Sequence, residues 1–125
     1  MSYRFAICDD DSDCAAYIRT LADGWAKQAG AELETEMFPS AEAFLFRDED
    51  QKDFDLLLLD IEMAGMDGLE LARQVRQENQ AIQIVFISGY EQYISQGYEV
   101  EALHYLVKPV DEKKFRQILD RAVSR

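Results

Sequence analysis

Five short apolar runs recur along the chain: Tyr3–Cys8, Leu33–Phe38, Phe54–Leu59, Ile82–Ile87 and Leu103–Val107. Each has the length of a β-strand. Leu56–Leu59 and Ile84–Ile87 are continuous rather than alternating, which predicts strands covered on both faces, as in a parallel sheet. Between the runs, apolar positions take a helical spacing. Cys14, Ile18, Leu21 and Trp25 recur at steps of four, three and four. Ala41, Phe44 and Leu45 mark a shorter helix, and Leu71, Ala72 and Val75 a third. Tyr90–Tyr98, with Gly97 inside it, is a weaker fourth; Phe115, Ile118, Leu119 and Ala122 give a fifth. Residues able to cap helices precede four of these segments: Asp11 or Ser12, Ser40, Asp67 and Asp111.

Strand–helix alternation with short links predicts an α/β chain of (βα)5 type. Its sheet is parallel and doubly wound, with right-handed crossovers and helices on both faces. The 125 residues form one domain, 1–125, without internal repeat or linker. The polar stretch Arg47–Asp53 reads as a surface loop. Surface scaling gives roughly 6,800 Å² exposed on folding, leaving about two-thirds of the unfolded surface buried. That is enough for a core without disulfides or a structural metal.

Charge narrows the function classes. The net charge is −12, which disfavours nucleic-acid binding by this domain alone and repels anionic membranes. No apolar run approaches ~18 residues, so no membrane span is predicted. The N-terminus lacks an apolar signal core, and a cytoplasmic location is expected. Cys8 and Cys14 fit no common zinc spacing and read as small packing residues in a reducing compartment.

In an open parallel sheet, ligands bind beyond the carboxyl ends of the strands. The residues following those ends are Asp9-Asp10-Asp11, Phe38-Pro39, Asp60, Ser88-Gly89 and Lys108-Pro109. Carboxylates, a hydroxyl and an ammonium thus converge on one edge, with Asp9, Asp10 and Asp60 as the three acids expected close together. Clustered carboxylates resist ionisation unless a cation compensates them. Mg²⁺ fits, being hard, oxygen-seeking and usually held by one or two carboxylates plus phosphate. Mn²⁺ is an alternative. With Mg²⁺ and Lys108, three carboxylates reach charge neutrality and leave room for an incoming dianion.

Four ordered stretches now become recognisable: ICDDD at Ile7–Asp11, LLLLDIEMAGMDGLELA at Leu56–Ala72, VFISGY at Val85–Tyr90 and ALHYLVKPV at Ala102–Val110. With them, nearly the whole chain resembles the receiver domain of two-component response regulators. The opening ICDDD, the SGYEQY stretch and the HYLVKP ending are most similar to receivers of LytTR-type (LytR/AgrA) regulators. The resemblance implies a flavodoxin-like sheet with strand order 2-1-3-4-5. It implies a phosphoacceptor module that takes a phosphoryl group from a sensor histidine kinase and controls transcription. Such a module catalyses its own phosphorylation and dephosphorylation and is not a turnover enzyme.

By resemblance, Asp60 is the phosphoryl acceptor. Asp10 ligates Mg²⁺ directly, Asp9 through water, and Asp60 and the Glu62 backbone carbonyl complete the metal shell. Ser88 supplies the hydroxyl and Lys108 the cation that contact the phosphoryl group. Lys108-Pro109 matches the family's cis peptide. Ser88 and Tyr105 fall at the switch positions, acting on the surface of the fourth helix, fifth strand and fifth helix, which also serves homodimerisation in the family. A DNA-binding output domain would follow Arg125, outside this chain. Ala64 stands where the family usually has proline, which predicts a looser loop, and Gly89 where alanine is common. Glu62 and Tyr90 sit where side chains modulate the lifetime of the phosphoryl group.

Two other readings compete. A receiver-like interaction module that is never phosphorylated would not need the full set of acids, Ser88 and Lys108. A Mg²⁺ phosphatase with an aspartyl nucleophile would show DxD where this chain has Asp60-Ile61-Glu62. It would also place its acidic cluster late in the chain and need room for a cap domain.

Overall fold

A computed structural model describes residues 1–47, 53–89 and 100–124. The helix expected over Tyr90–Tyr98 and most of the loop expected over Arg47–Asp53 lie outside the described residues. The described elements, in order, are β1 (Ser2–Cys8), α1 (Ser12–Ala29), β2 (Glu32–Phe38), α2 (Ala41–Leu45), β3 (Leu56–Asp60), α3 (Gly68–Glu78), β4 (Gln83–Ser88), β5 (His104–Val107) and α4 (Glu112–Val123). The strands form one parallel sheet in the order β2-β1-β3-β4-β5, as the sequence resemblance implies.

The continuous apolar runs are explained by the two cores. Leu56 and Leu58 point to one face, where they join Phe5, Ile7, Val85, Ile87 and the buried sides of α1 and α4. Leu57 and Leu59 point to the other, with Ala6, Cys8, Ile84, Phe86 and the α2 and α3 side chains. A strand between two apolar layers has no polar face to alternate with. The folded surface of 6942 Å² agrees with the scaling expectation. No helix among the described residues is long and apolar enough to cross a membrane.

The caps behave as their chemistry predicts. Asp11, rather than Ser12, caps α1 by accepting from the Asp13 and Cys14 amides. Ser40 accepts from Ala43 N–H, Asp67 from Glu70 N–H and Asp111 from Lys114 N–H. Helix α1 ends at Gly30, whose φ of 67° is the left-handed conformation glycine adopts without penalty.

Strand bounds shift slightly from expectation. Phe54 and Ile82 are buried but precede their strands. Phe54 packs edge-on against Phe38, and Ile82 N–H donates to the Asn79 side chain instead of a neighbouring strand. Trp25 is buried in α1, stacks on Phe5 and donates its Nε1–H to Asp120 of α4 at 2.9 Å. Cys8 is buried and Cys14 half-buried, and both are free thiols. Strand β2 forms one edge, with Glu32, Glu34 and Glu36 alternating along one side of it.

Candidate functional site

The sheet order changes direction between β1 and β3, and the site lies at their carboxyl ends. Register fixes its depth. Cys8 pairs with Leu59, so Asp9 and Asp60 emerge side by side. Ile87 pairs with Asp60, and Val107 with Ser88, which places Lys108 one step beyond. Two backbone bonds tie the ends: Asp9 N–H to Phe38 O at 3.1 Å, and Lys108 N–H to Ser88 O at 2.8 Å. The Lys108-Pro109 peptide is cis.

One carboxylate oxygen from each of Asp9, Asp10 and Asp60 falls within 4.8 Å of the others. Asp9 and Asp60 are buried, and Asp10 is exposed. The Lys108 ammonium lies 3.1 Å from Asp9 Oδ2 and 3.7 Å from Asp60 Oδ2. Asp9 Oδ1 accepts from Asp11 N–H at 2.9 Å, so both Asp9 oxygens have protein donors. The donor set consists of hard oxygens close enough to share one small divalent ion, which fits Mg²⁺ and excludes a soft-metal site.

The electrostatics follow from this crowding. Burial, reinforced by the neighbouring Asp9 charge, pushes the Asp60 carboxyl up to about 7 against the opposing pull of Lys108. Burial works to lower the Lys108 value, but the charges of Asp60 and Asp9 outweigh it and hold the ammonium above its ordinary range. Burial and the surrounding acids push the Cys8 thiol up to about 12, so it stays protonated and unreactive.

Of the other expected site residues, Ser88 ends β4 and is fully buried. Glu62 is exposed in the loop after β3. Tyr105 is half-buried on β5, paired with Phe86, their ring centroids 6.2 Å apart. Tyr90 lies outside the described residues. Ala64, where the sequence predicts a looser loop, makes a bond to the acidic cluster. Its N–H, which proline would lack, donates to Asp10 Oδ2 at 3.2 Å. Glu42 was not legible as a site neighbour, yet its Oε2 accepts from Met66 N–H at 3.1 Å. In the sequence it is an ordinary acidic residue in the first turn of a helix, and no local signal marks it.

A family model for the response regulator receiver domain matches residues 5–120. The chain belongs to this family. The receiver is 35% identical over 95 residues to the sensory transduction protein LytT of Bacillus subtilis, a match covering 76% of this chain and 39% of that protein. The receiver thus spans well under half of the curated relative. Among solved structures, a putative response regulator from Chloroflexus aurantiacus superposes with a TM-score of 0.83 at 25% identity, covering both chains completely. The response regulator TrrA from Thermotoga maritima, solved in complex with Mg²⁺-BeF, has a TM-score of 0.73 at 26% identity, covering 96% of this chain and 98% of that one.

Proposed function

We propose that residues 1–125 act as one phosphoacceptor receiver that accepts a phosphoryl group on Asp60 from the phosphohistidine of a sensor kinase. The observation that carries this reading is the convergence of Asp9, Asp10 and Asp60 around a shared point, with Lys108 reaching two of them. An Asp60 oxygen forms the new P–O bond as the P–N bond to the donor imidazole breaks, and the imidazole departs as the leaving group. The product is an acyl phosphate. The chain's work is positioning and charge stabilisation. Lys108 offers its ammonium to the phosphoryl oxygens, and Ser88 its hydroxyl. Asp10, Asp60 and the Glu62 carbonyl would hold Mg²⁺ directly. Asp9, whose oxygens already accept from Asp11 N–H and Lys108, suits a contact through water. When bound, Mg²⁺ would neutralise the carboxylates and screen the phosphoryl oxygens. Attack requires ionised Asp60, and its raised value makes that compensation necessary near neutral pH.

The product state would draw Ser88 toward the phosphoryl group and shift Tyr105, changing the surface around β5 that a partner, a second copy or an output domain meets. Transcription control through a C-terminal DNA-binding domain accords with the greater length of LytT. The receiver modifies itself and turns over no external substrate, and it works in the cytoplasm.

Incubation with acetyl phosphate and Mg²⁺ tests the reading. A mass gain of one phosphoryl group that disappears in Asp60→Asn is the expected result. No gain in the wild-type protein would favour the interaction module, and steady hydrolysis of a phosphomonoester would favour the phosphatase. Equal exposure of Tyr105 with and without beryllofluoride would remove the switch.

A further inference from the structure

The loop joining β3 to α3 carries Glu62, and three bonds hold it. Gly68 N–H donates to Ile61 O at 2.8 Å and closes its base. Ala64 N–H reaches Asp10 Oδ2 at 3.2 Å. Met66 N–H reaches Glu42 Oε2 at 3.1 Å. The Glu42 carboxylate also lies against Gly65, where an added Cβ would come within 2.7 Å of the same oxygen. Gly65 has φ +78°, so the chain turns in a conformation that L side chains rarely adopt and does so beside Glu42.

These contacts are sequential in space. Glu42 belongs to the first turn of α2, whose Ala41 and Phe44 are buried in the core. Its carboxylate anchors the peptide at Met66. With the base closed at Gly68, the segment from Glu62 to Gly65 lies between two tethers, and the Ala64 amide is presented to Asp10. An amide donor on one oxygen orients a carboxylate and lowers the entropy lost when it takes up a cation.

We propose that Glu42 is a positioning residue for the metal site: by holding Gly65 and Met66 it sets the Ala64 amide against Asp10 and fixes where the Glu62 backbone lies. This rests on the assignment of Asp9, Asp10 and Asp60 to Mg²⁺. Glu42 touches neither the metal nor the phosphoryl group and acts through the loop.

Titration calorimetry with Mg²⁺ alone tests it in the wild type, Glu42→Gln, Glu42→Leu and Asp10→Asn. Gln keeps an acceptor oxygen but loses the charge; Leu loses both. Partners that orient a metal ligand typically matter by about 10-fold or more in affinity. Glu42→Leu is therefore expected to bind Mg²⁺ about 10-fold more weakly, with Glu42→Gln close to wild type. A second readout is the Ala64 amide resonance without metal, which should move in the Leu variant and stay in the Gln variant. Equal weakening in Gln and Leu would assign the effect to charge and overturn the proposal. Wild-type affinity in Glu42→Leu, with binding lost in Asp10→Asn, would overturn it while leaving the metal site intact. If the wild type takes up no Mg²⁺, or Asp10→Asn binds as well as wild type, the metal site falls and the positioning role falls with it.

Discussion

Lys108 donates to Asp9 Oδ2 at 3.1 Å, while Asp60 Oδ2 stands further from the same ammonium at 3.7 Å. One cation therefore serves two buried carboxylates and leans toward the one that is not the proposed acceptor. Lys108 moderates the charge at Asp60 without cancelling it, and the acceptor carboxyl remains pushed up to about 7.

That raised value predicts how stability varies with pH. Between the ordinary aspartate range and about 7, folded Asp60 keeps a proton that the unfolded chain releases. Stability from this group is therefore greatest at low pH, falls as pH rises, and stays low above about 7. The slope is at most about 1.4 kcal/mol per pH unit. In metal-free buffer, Asp60→Asn should gain about 2 kcal/mol more over wild type at pH 8 than at pH 5.5. Mg²⁺ should recover much of the wild-type loss. Urea unfolding at the two pH values with chelator measures it; equal gains would contradict the raised value.

Gly68 has no room for a side chain. A Cβ there would lie 2.1 Å from the Asp60 carbonyl oxygen and 2.9 Å from Ile61 Cα. Both neighbours are backbone, so relief requires moving the acceptor itself. Gly68→Ala should cost about 3 kcal/mol in chemical denaturation and lower phosphoryl uptake by Asp60. Gly89 has open space around it, and Gly89→Ala should stay within about 0.5 kcal/mol of wild type. Similar stability of the two variants would refute the close-contact account.

Arg76 ties three segments together. Its Nε donates to Val100 O at 2.8 Å, and its terminal nitrogens to Ile82 O at 2.7 Å, Asn79 O at 3.3 Å and Glu101 O at 3.4 Å. Glu101 has a φ of 54°, uncommon for a residue with a side chain. Arg76→Leu would strip these carbonyls of a charged donor, at an expected cost of about 3 kcal/mol. Lysine, with a single compact head, should recover less than half. Guanidinium unfolding compares them, and full recovery by lysine would show that one bond of the four suffices.

The sequence exposed much of this structure because the relevant chemistry was local or periodic. Ser40, Asp67 and Asp111 cap helices through bonds three residues away, and Leu56–Leu59 is apolar throughout because both its faces are covered. Asp9, Asp60, Ser88 and Lys108 could be grouped because each follows an apolar run, and a parallel sheet brings the ends of those runs together. Glu42, Gly68, Arg76 and the Ala64 amide were hidden for the opposite reason. Glu42, Gly68 and Arg76 meet backbone atoms, and the Ala64 donor is itself backbone; a backbone donor or carbonyl leaves no mark on residue type. Ala64 shows the limit: the missing proline is visible in the sequence, but the bond its N–H makes to Asp10 is not.

The rim of the sheet at β2 has a colloidal consequence. In its acidic row, Glu34 pairs with Arg4 and Glu36 with Arg47 within the same molecule, and Glu32 is exposed beside them. A second molecule approaching side by side would bring its own acidic row against this one, and like charges would repel before a shared ladder could form. Crowded solutions of the protein should accordingly resist fibril growth from this border.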